Sequence, residues 1–113
     1  MTKIYDIKDL KVTAEAISFE LLGTFIVVPL SECGSSVLPH AGHEDLLDYE
    51  IDGYGLGIHW RRLDEDLSIE GLLRTAGRKS LIVRHRLPDW YRQESPAVAA
   101  SLDFEQAQLA RKT

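Results

Sequence analysis

Apolar positions near the start of the chain alternate with polar ones: Ile7, Leu10 and Val12 are followed by Ile17, Phe19 and Leu21, with the phase shifting over Thr13 to Ala16. A period of two predicts strands, and the phase shift predicts a turn between them. Leu22-Gly23-Thr24 punctuates the pattern again. Phe25-Ile26-Val27-Val28 is β-branched and aromatic enough for a third strand, which ends where Pro29 removes a ladder donor. The first 30 residues therefore read as an antiparallel meander.

Gly, Ser and Pro density from Ser31 to Gly42 predicts a loop, and His43 to Ile51 has the spacing and early acids of a short helix. Gly53, Gly55 and Gly57 follow, then a strand over 56–60 and an acidic bend over 63–66. Ser68 reads as the N-cap of a second helix, with Leu67 and Leu72 as a hydrophobic staple, Glu70 in its first turn and Gly77 as its stop. Beyond Gly77, Leu81 to Leu87 predicts a strand ended by Pro88. Ser95-Pro96 predicts the start of a helix through Ala110, with Val98, Leu102 and Leu109 on one side. The expected fold class is α+β: a small antiparallel meander with two short helices, plus a C-terminal strand and helix extension. The expected division is a core over 1–76 and a basic extension over 77–113 that packs on the core or on a partner.

At 113 residues, 44% hydrophobic and 27% charged, the chain suits one small domain whose marginal core would gain from homodimerisation. The net charge of −5 conceals an asymmetry: residues 1–73 carry 5 basic and 14 acidic side chains, residues 74–113 carry 8 basic and 4 acidic. Phosphate contact calls for clustered Lys and Arg, so only the C-terminal arm is a nucleic-acid candidate. The single Cys33 allows no internal disulfide, and the start of the chain lacks the features of a secretory signal, so a cytoplasmic location is expected. The apolar run Phe25 to Leu30 falls well short of the roughly 20 residues of a membrane span, and no membrane role is expected.

The chemistry-bearing residue types form no complete site. Gly53, Gly55 and Gly57 precede a strand, whereas a dinucleotide loop follows one and opens a helix. Asp64, Asp66, Ser68 and Glu70 alternate like calcium ligands, but Ile69 stands where the loop requires glycine and Thr75 where it requires glutamate. His40 and His43 would supply half a zinc site, and Cys33 lacks an identifiable base among His40, His43 and His59. No catalytic residue, metal or cofactor is expected. Arg61 and Arg62 after Trp60, and Arg84 and Arg86 before Trp90, Tyr91 and Arg92, combine aromatic and guanidinium groups as interface anchors do. These seven, Trp60 excepted, are the expected partner-binding residues.

The run from Gly53 through Gly-Leu-Gly-Ile-His-Trp-Arg-Arg-Leu-Asp-Glu-Asp-Leu-Ser-Ile-Glu-Gly-Leu-Leu to Leu73 resembles the C-terminal signature of a bacterial family of unknown function, number 2442 in the domain-of-unknown-function series. The matching signature positions are His59, Trp60, Leu63, Asp64, Glu65, Asp66, Ser68, Glu70 and Gly71, and the likeness spans about residues 8–75. Arg61 stands where that family frequently has proline. The resemblance implies a small α+β domain with no assigned catalytic residues. Members often lie beside a gene for a small protein of the 4160 series, which implies an antitoxin-like role in a two-gene module. The leading expectation is thus a non-enzymatic protein-binding domain with a small toxin-like partner encoded nearby. The alternatives are a regulator whose basic arm contacts nucleic acid, and a small metal-dependent hydrolase using His59, Asp64 and Asp66.

Overall fold

The computed structural model describes residues 3–110, and the chain is α+β. The meander forms where the alternation places it: β1 (Lys8–Val12), β2 (Ala16–Leu21) and β3 (Thr24–Pro29) pair antiparallel in that order. Ile17, Phe19 and Leu21 of β2 and Ile26 and Val28 of β3 lie on the buried face, because successive strand side chains point to opposite sides.

The middle of the chain departs from expectation in two places. Helix α1 is His43–Leu47 only, and Tyr49–Ile51 is a strand, β4, rather than the end of the helix. Asp48, at φ −91° and ψ 68°, breaks the helix, and Tyr49 and Ile51 then pair with Trp60 and Ile58 of β5 (Gly57–Trp60). The acidic bend tightens into a turn over 61–64, with Asp64 at φ 50°. Glu65–Ser68 becomes β6, which completes a second antiparallel sheet in the order β4-β5-β6. Ser68 ends that strand and caps α2 (Ile69–Thr75), its Oγ accepting the Gly71 N–H at 2.9 Å. Gly77 takes the left-handed conformation after α2, at φ 76°.

The expected strand over 81–87 is absent. A single 3₁₀ turn covers Lys79–Leu81, and residues 82–88 run without ladder partners. Side chains replace the missing strand. The Val83 N–H donates to the Tyr5 hydroxyl at 3.0 Å, and the Gln106 side-chain amide accepts the His85 N–H and donates to the Val83 carbonyl. An unforeseen helix, α3 (Asp89–Glu94), precedes α4 (Pro96–Ala110), which starts where Ser95-Pro96 predicts.

Helix α4 lies over β6 and α2. Val98, Ala99 and Leu102 are buried in the same apolar cluster as Ile58, Trp60, Ile69, Leu72 and the inner face of the first sheet. Gly57 makes the approach of α4 feasible: a Cβ there would lie 2.9 Å from Val98 Cγ2. Ile82 and Tyr91 are also in this cluster, so the C-terminal segment supplies core side chains. Among the described residues, no helix is long and apolar enough to cross a membrane.

Candidate functional site

Two polar networks and one polar cleft take in about half of the residues that the sequence singles out, among them His59, Asp66, Glu70, Tyr91, Arg86 and Arg92. The first network lies on the second sheet. His59 and Asp66 are cross-strand partners on β5 and β6, and His59 Nδ1 lies 2.6 Å from Asp66 Oδ1. Its Nε2 lies 3.3 Å from Asp52 Oδ2, an oxygen that also accepts the Tyr91 hydroxyl. The other Asp52 oxygen accepts the backbone N–H groups of Tyr54 and Leu56 at 3.2 and 3.0 Å. The glycine-rich turn thus already holds an anion, and that anion is the Asp52 carboxylate. Its geometry is an Asx turn.

Both imidazole nitrogens of His59 are occupied, which leaves no free lone pair for a metal and no free position for a general base. The hydrogen bond to Asp52, followed by the shorter one to Asp66, raises the His59 pKa above its ordinary value against the opposing effect of burial. Burial pushes Asp52 up most strongly of any one influence, but the bonds from His59, Tyr91 and Leu56 outweigh it and hold the carboxyl low. A raised histidine contributes stability below its unfolded value of 6.5 and loses it as pH climbs through the folded value. A depressed aspartate contributes above 3.8 and loses it as pH falls through its folded value. His59 and Asp52 are therefore both fully effective between pH 3.8 and 6.5. Urea unfolding should show His59→Asn most destabilised relative to the parent near pH 5.5, with the gap narrowing toward pH 9.

The second network is centred on Glu70, a fully buried carboxylate of α2. The Tyr5 hydroxyl donates to it at 2.7 Å, His85 Nε2 lies 2.5 Å away, and Gln106 Nε2 reaches its two oxygens at 3.2 and 3.3 Å. Burial above all pushes the Tyr5 phenol well above its usual range, so it stays a proton donor. These four side chains tie the N-terminal segment, α2, the 82–88 segment and α4 together. Among the described residues, His85 Nδ1 is buried without a hydrogen-bond partner. Beside this network, Glu105 of α4, also buried, accepts from Arg74 Nε at 2.7 Å, and Ser101 Oγ meets the capping Ser68 Oγ at 2.6 Å.

The acids suggestive of a calcium loop do not converge. Asp64 is exposed in the turn, Asp66 is bound to His59, Ser68 caps α2 and Glu70 is inside. Glu65 accepts the Ser35 hydroxyl and so pins the 31–42 loop, while Leu63 packs at the margin of the core. Trp60 is fully buried, donating its indole N–H to the Leu46 carbonyl at 3.0 Å. Gly71 gives its N–H to the Ser68 cap. His40 and His43 are exposed, and burial pushes the Cys33 thiol up, away from the reactive thiolate. Among the described residues, no three His, Cys, Asp or Glu side chains stand where they could hold a metal ion together.

The seven partner-binding candidates divide. Arg61 is committed to Glu50 through two nitrogens at 2.8–3.1 Å, and Arg62 reaches Asp45 and Asp48 at 3.4 and 3.5 Å. Arg92 forms a two-pronged pair with Asp103 at 2.6 and 2.9 Å. Tyr91 is a correction: it is 2% exposed and faces Asp52, because its ring fills the core beneath α3, and a partner cannot reach it there. Trp90 is 45% exposed and stacks on Tyr54 at 5.6 Å. Arg84 and Arg86 are exposed and carry no ion pair among the described residues. Arg86, Asp89 and Arg92 line one side of a cleft of about 540 Å³, and Asp103 and Gln106 of α4 line the other. Asp52, Tyr5, His85 and Gln106 escaped the sequence reading. Asp52-Gly53 is the one local signal among them, since Asx turns favour that pair.

The comparisons with known proteins agree with the fold and assign no activity. A crystal structure of a protein of unknown function from Rhodospirillum rubrum is 27% identical, with a TM-score of 0.51; the match covers 62% of this chain and 86% of that one. No curated protein matches the chain. Residues 7–78, from before β1 to just past α2, match the model of the family described as Protein of unknown function (DUF2442), and the chain belongs to that family.

Proposed function

We propose that this protein is a non-enzymatic protein-binding domain, the antitoxin-like partner in a two-gene module, and that its C-terminal segment docks the partner. The observation that carries the reading is the pair of exposed guanidinium groups at Arg84 and Arg86, without an ion pair among the described residues, of which Arg86 lines a polar cleft, followed by the half-exposed Trp90. Arg and Trp are the residue types that most often dominate binding energy at interfaces. Arg61, Arg62 and Arg92 are spent on internal pairs and leave less for a partner. A segment with unpaired cations on an acidic chain favours a partner that presents carboxylates, since complementary charge speeds encounter and fixes orientation.

The test is a pull-down from the native host with the full chain and with Arg84→Glu/Arg86→Glu and Trp90→Ala, followed by titration calorimetry on the captured protein. The expected result is one protein held by the parent chain and bound about 10- to 100-fold more weakly by each variant. Equal retention by all three chains would remove this surface from consideration. Captured nucleic acid, released steeply by salt, would favour the regulator reading instead.

A further inference from the structure

We propose that the outer edge of β3 is a self-association surface, through which two copies of this chain join their first sheets into one six-stranded sheet. The inference stands independently of the partner surface described above. Two three-stranded sheets have four edges, and an unguarded edge is a template for further pairing. Three of the four are managed. Strand β1 is bulged between Lys8 and Lys11, with Asp9 at φ 55°, and carries those charges along its edge. Strand β6 is covered by α4, and β4 has only three residues, with Glu50 tied to Arg61.

Strand β3 has none of these protections before Pro29. Its sequence, Thr-Phe-Ile-Val-Val-Pro, bears no charge, and Phe25 and Val27 are 66% and 45% exposed. Leu22, in the adjoining turn, is 81% exposed. The two-residue turn Leu22-Gly23, with φ 51° and 79°, makes Leu21 and Thr24 the first bonded pair. Thr24, Ile26 and Val28 therefore face β2, and the Leu30 N–H continues the series to the Glu15 carbonyl at 2.8 Å. The N–H and C=O groups of Phe25 and Val27 consequently point outward, and no group among the described residues bonds them.

The occupant that fits is a second copy. A strand that pairs antiparallel with itself about a twofold axis brings each side chain near its own kind, which is unfavourable for a charged strand and harmless for this one. With Ile26 on the axis, Phe25 bonds the partner's Val27 and Val27 bonds the partner's Phe25. Each exposed phenyl ring then packs across the strands on a β-branched side chain. Two chains of net charge −5 repel at long range, so salt should strengthen this association.

Sedimentation of the full chain from about 1 to 500 μM tests the proposal over the range expected of a small, reversible interface. The expected result is a reversible dimer favoured by salt and weakened about 100-fold by Val27→Lys or Phe25→Lys. Both variants should keep the parent's thermal midpoint when dilute. The Phe25 and Val27 amides should exchange more slowly with deuterium as protein concentration rises. A monomer throughout the range, a dimer that survives both substitutions, or protection of those amides only by a captured foreign polypeptide would overturn it.

Discussion

Replacing Glu70 by Ala should destabilise the protein by about 3–5 kcal/mol, because it leaves three polar partners without their acceptor at about 1–3 kcal/mol each. For a chain of this length that lowers the thermal midpoint by roughly 10–20 °C. The carboxylate is fully buried and gathers the Tyr5 hydroxyl, the His85 ring and the Gln106 amide. Alanine would leave these groups facing one another with no shared acceptor. Calorimetry of Glu70→Ala beside Glu15→Ala, whose side chain is exposed in the β1–β2 turn, measures the difference. The second variant should stay within about 0.5 kcal/mol of the parent. A loss as small for Glu70 would show that the network contributes little.

Ending the chain at Gly77 should have a still larger effect. It removes Ile82, Val98 and Leu102, three buried aliphatic side chains worth about 5–9 kcal/mol of burial, together with Tyr91 and Ala99. That is comparable with the whole stability of a small domain, about 5–15 kcal/mol. The loss also strips the cover from β6 and from Glu70. The shortened chain is expected to unfold without a cooperative transition and to bind a hydrophobic dye in native buffer. A sharp thermal transition near the parent's would mean that residues 3–77 fold without the C-terminal segment.

The parts of this fold written in local pattern were legible. Alternation placed β1 to β3, and Ser68 and Ser95-Pro96 placed the starts of α2 and α4. The second sheet was obscured because its polar residues serve polar partners. Glu65 and Asp66 read as an acidic bend, although on β6 they face Ser35 and His59. Tyr49 and Ile51 followed the acids of a helix start, and only their pairing with β5 makes them a strand. Leu81 to Leu87 had strand composition, yet the backbone partners there are the side chains of Tyr5 and Gln106, which are distant in sequence. Glu70 looked like an ordinary first-turn acid for the same reason: its ligands come from residues 5, 85 and 106. Tyr91 and Trp90 are neighbours of similar composition, and the helical turn of α3 sends one inward and the other outward.

Residue-resolved hydrogen exchange in the native state tests the central point most directly: the C-terminal segment is locked to the family domain through Glu70 and α4. The account predicts that the amides of Leu102, Glu105 and Gln106 in α4 open with the same free energy as those of Leu73 in α2 and Ile58 in β5, by unfolding of the whole unit. Exchange of the α4 amides at a distinctly lower free energy, with α2 and β5 still protected, would contradict it.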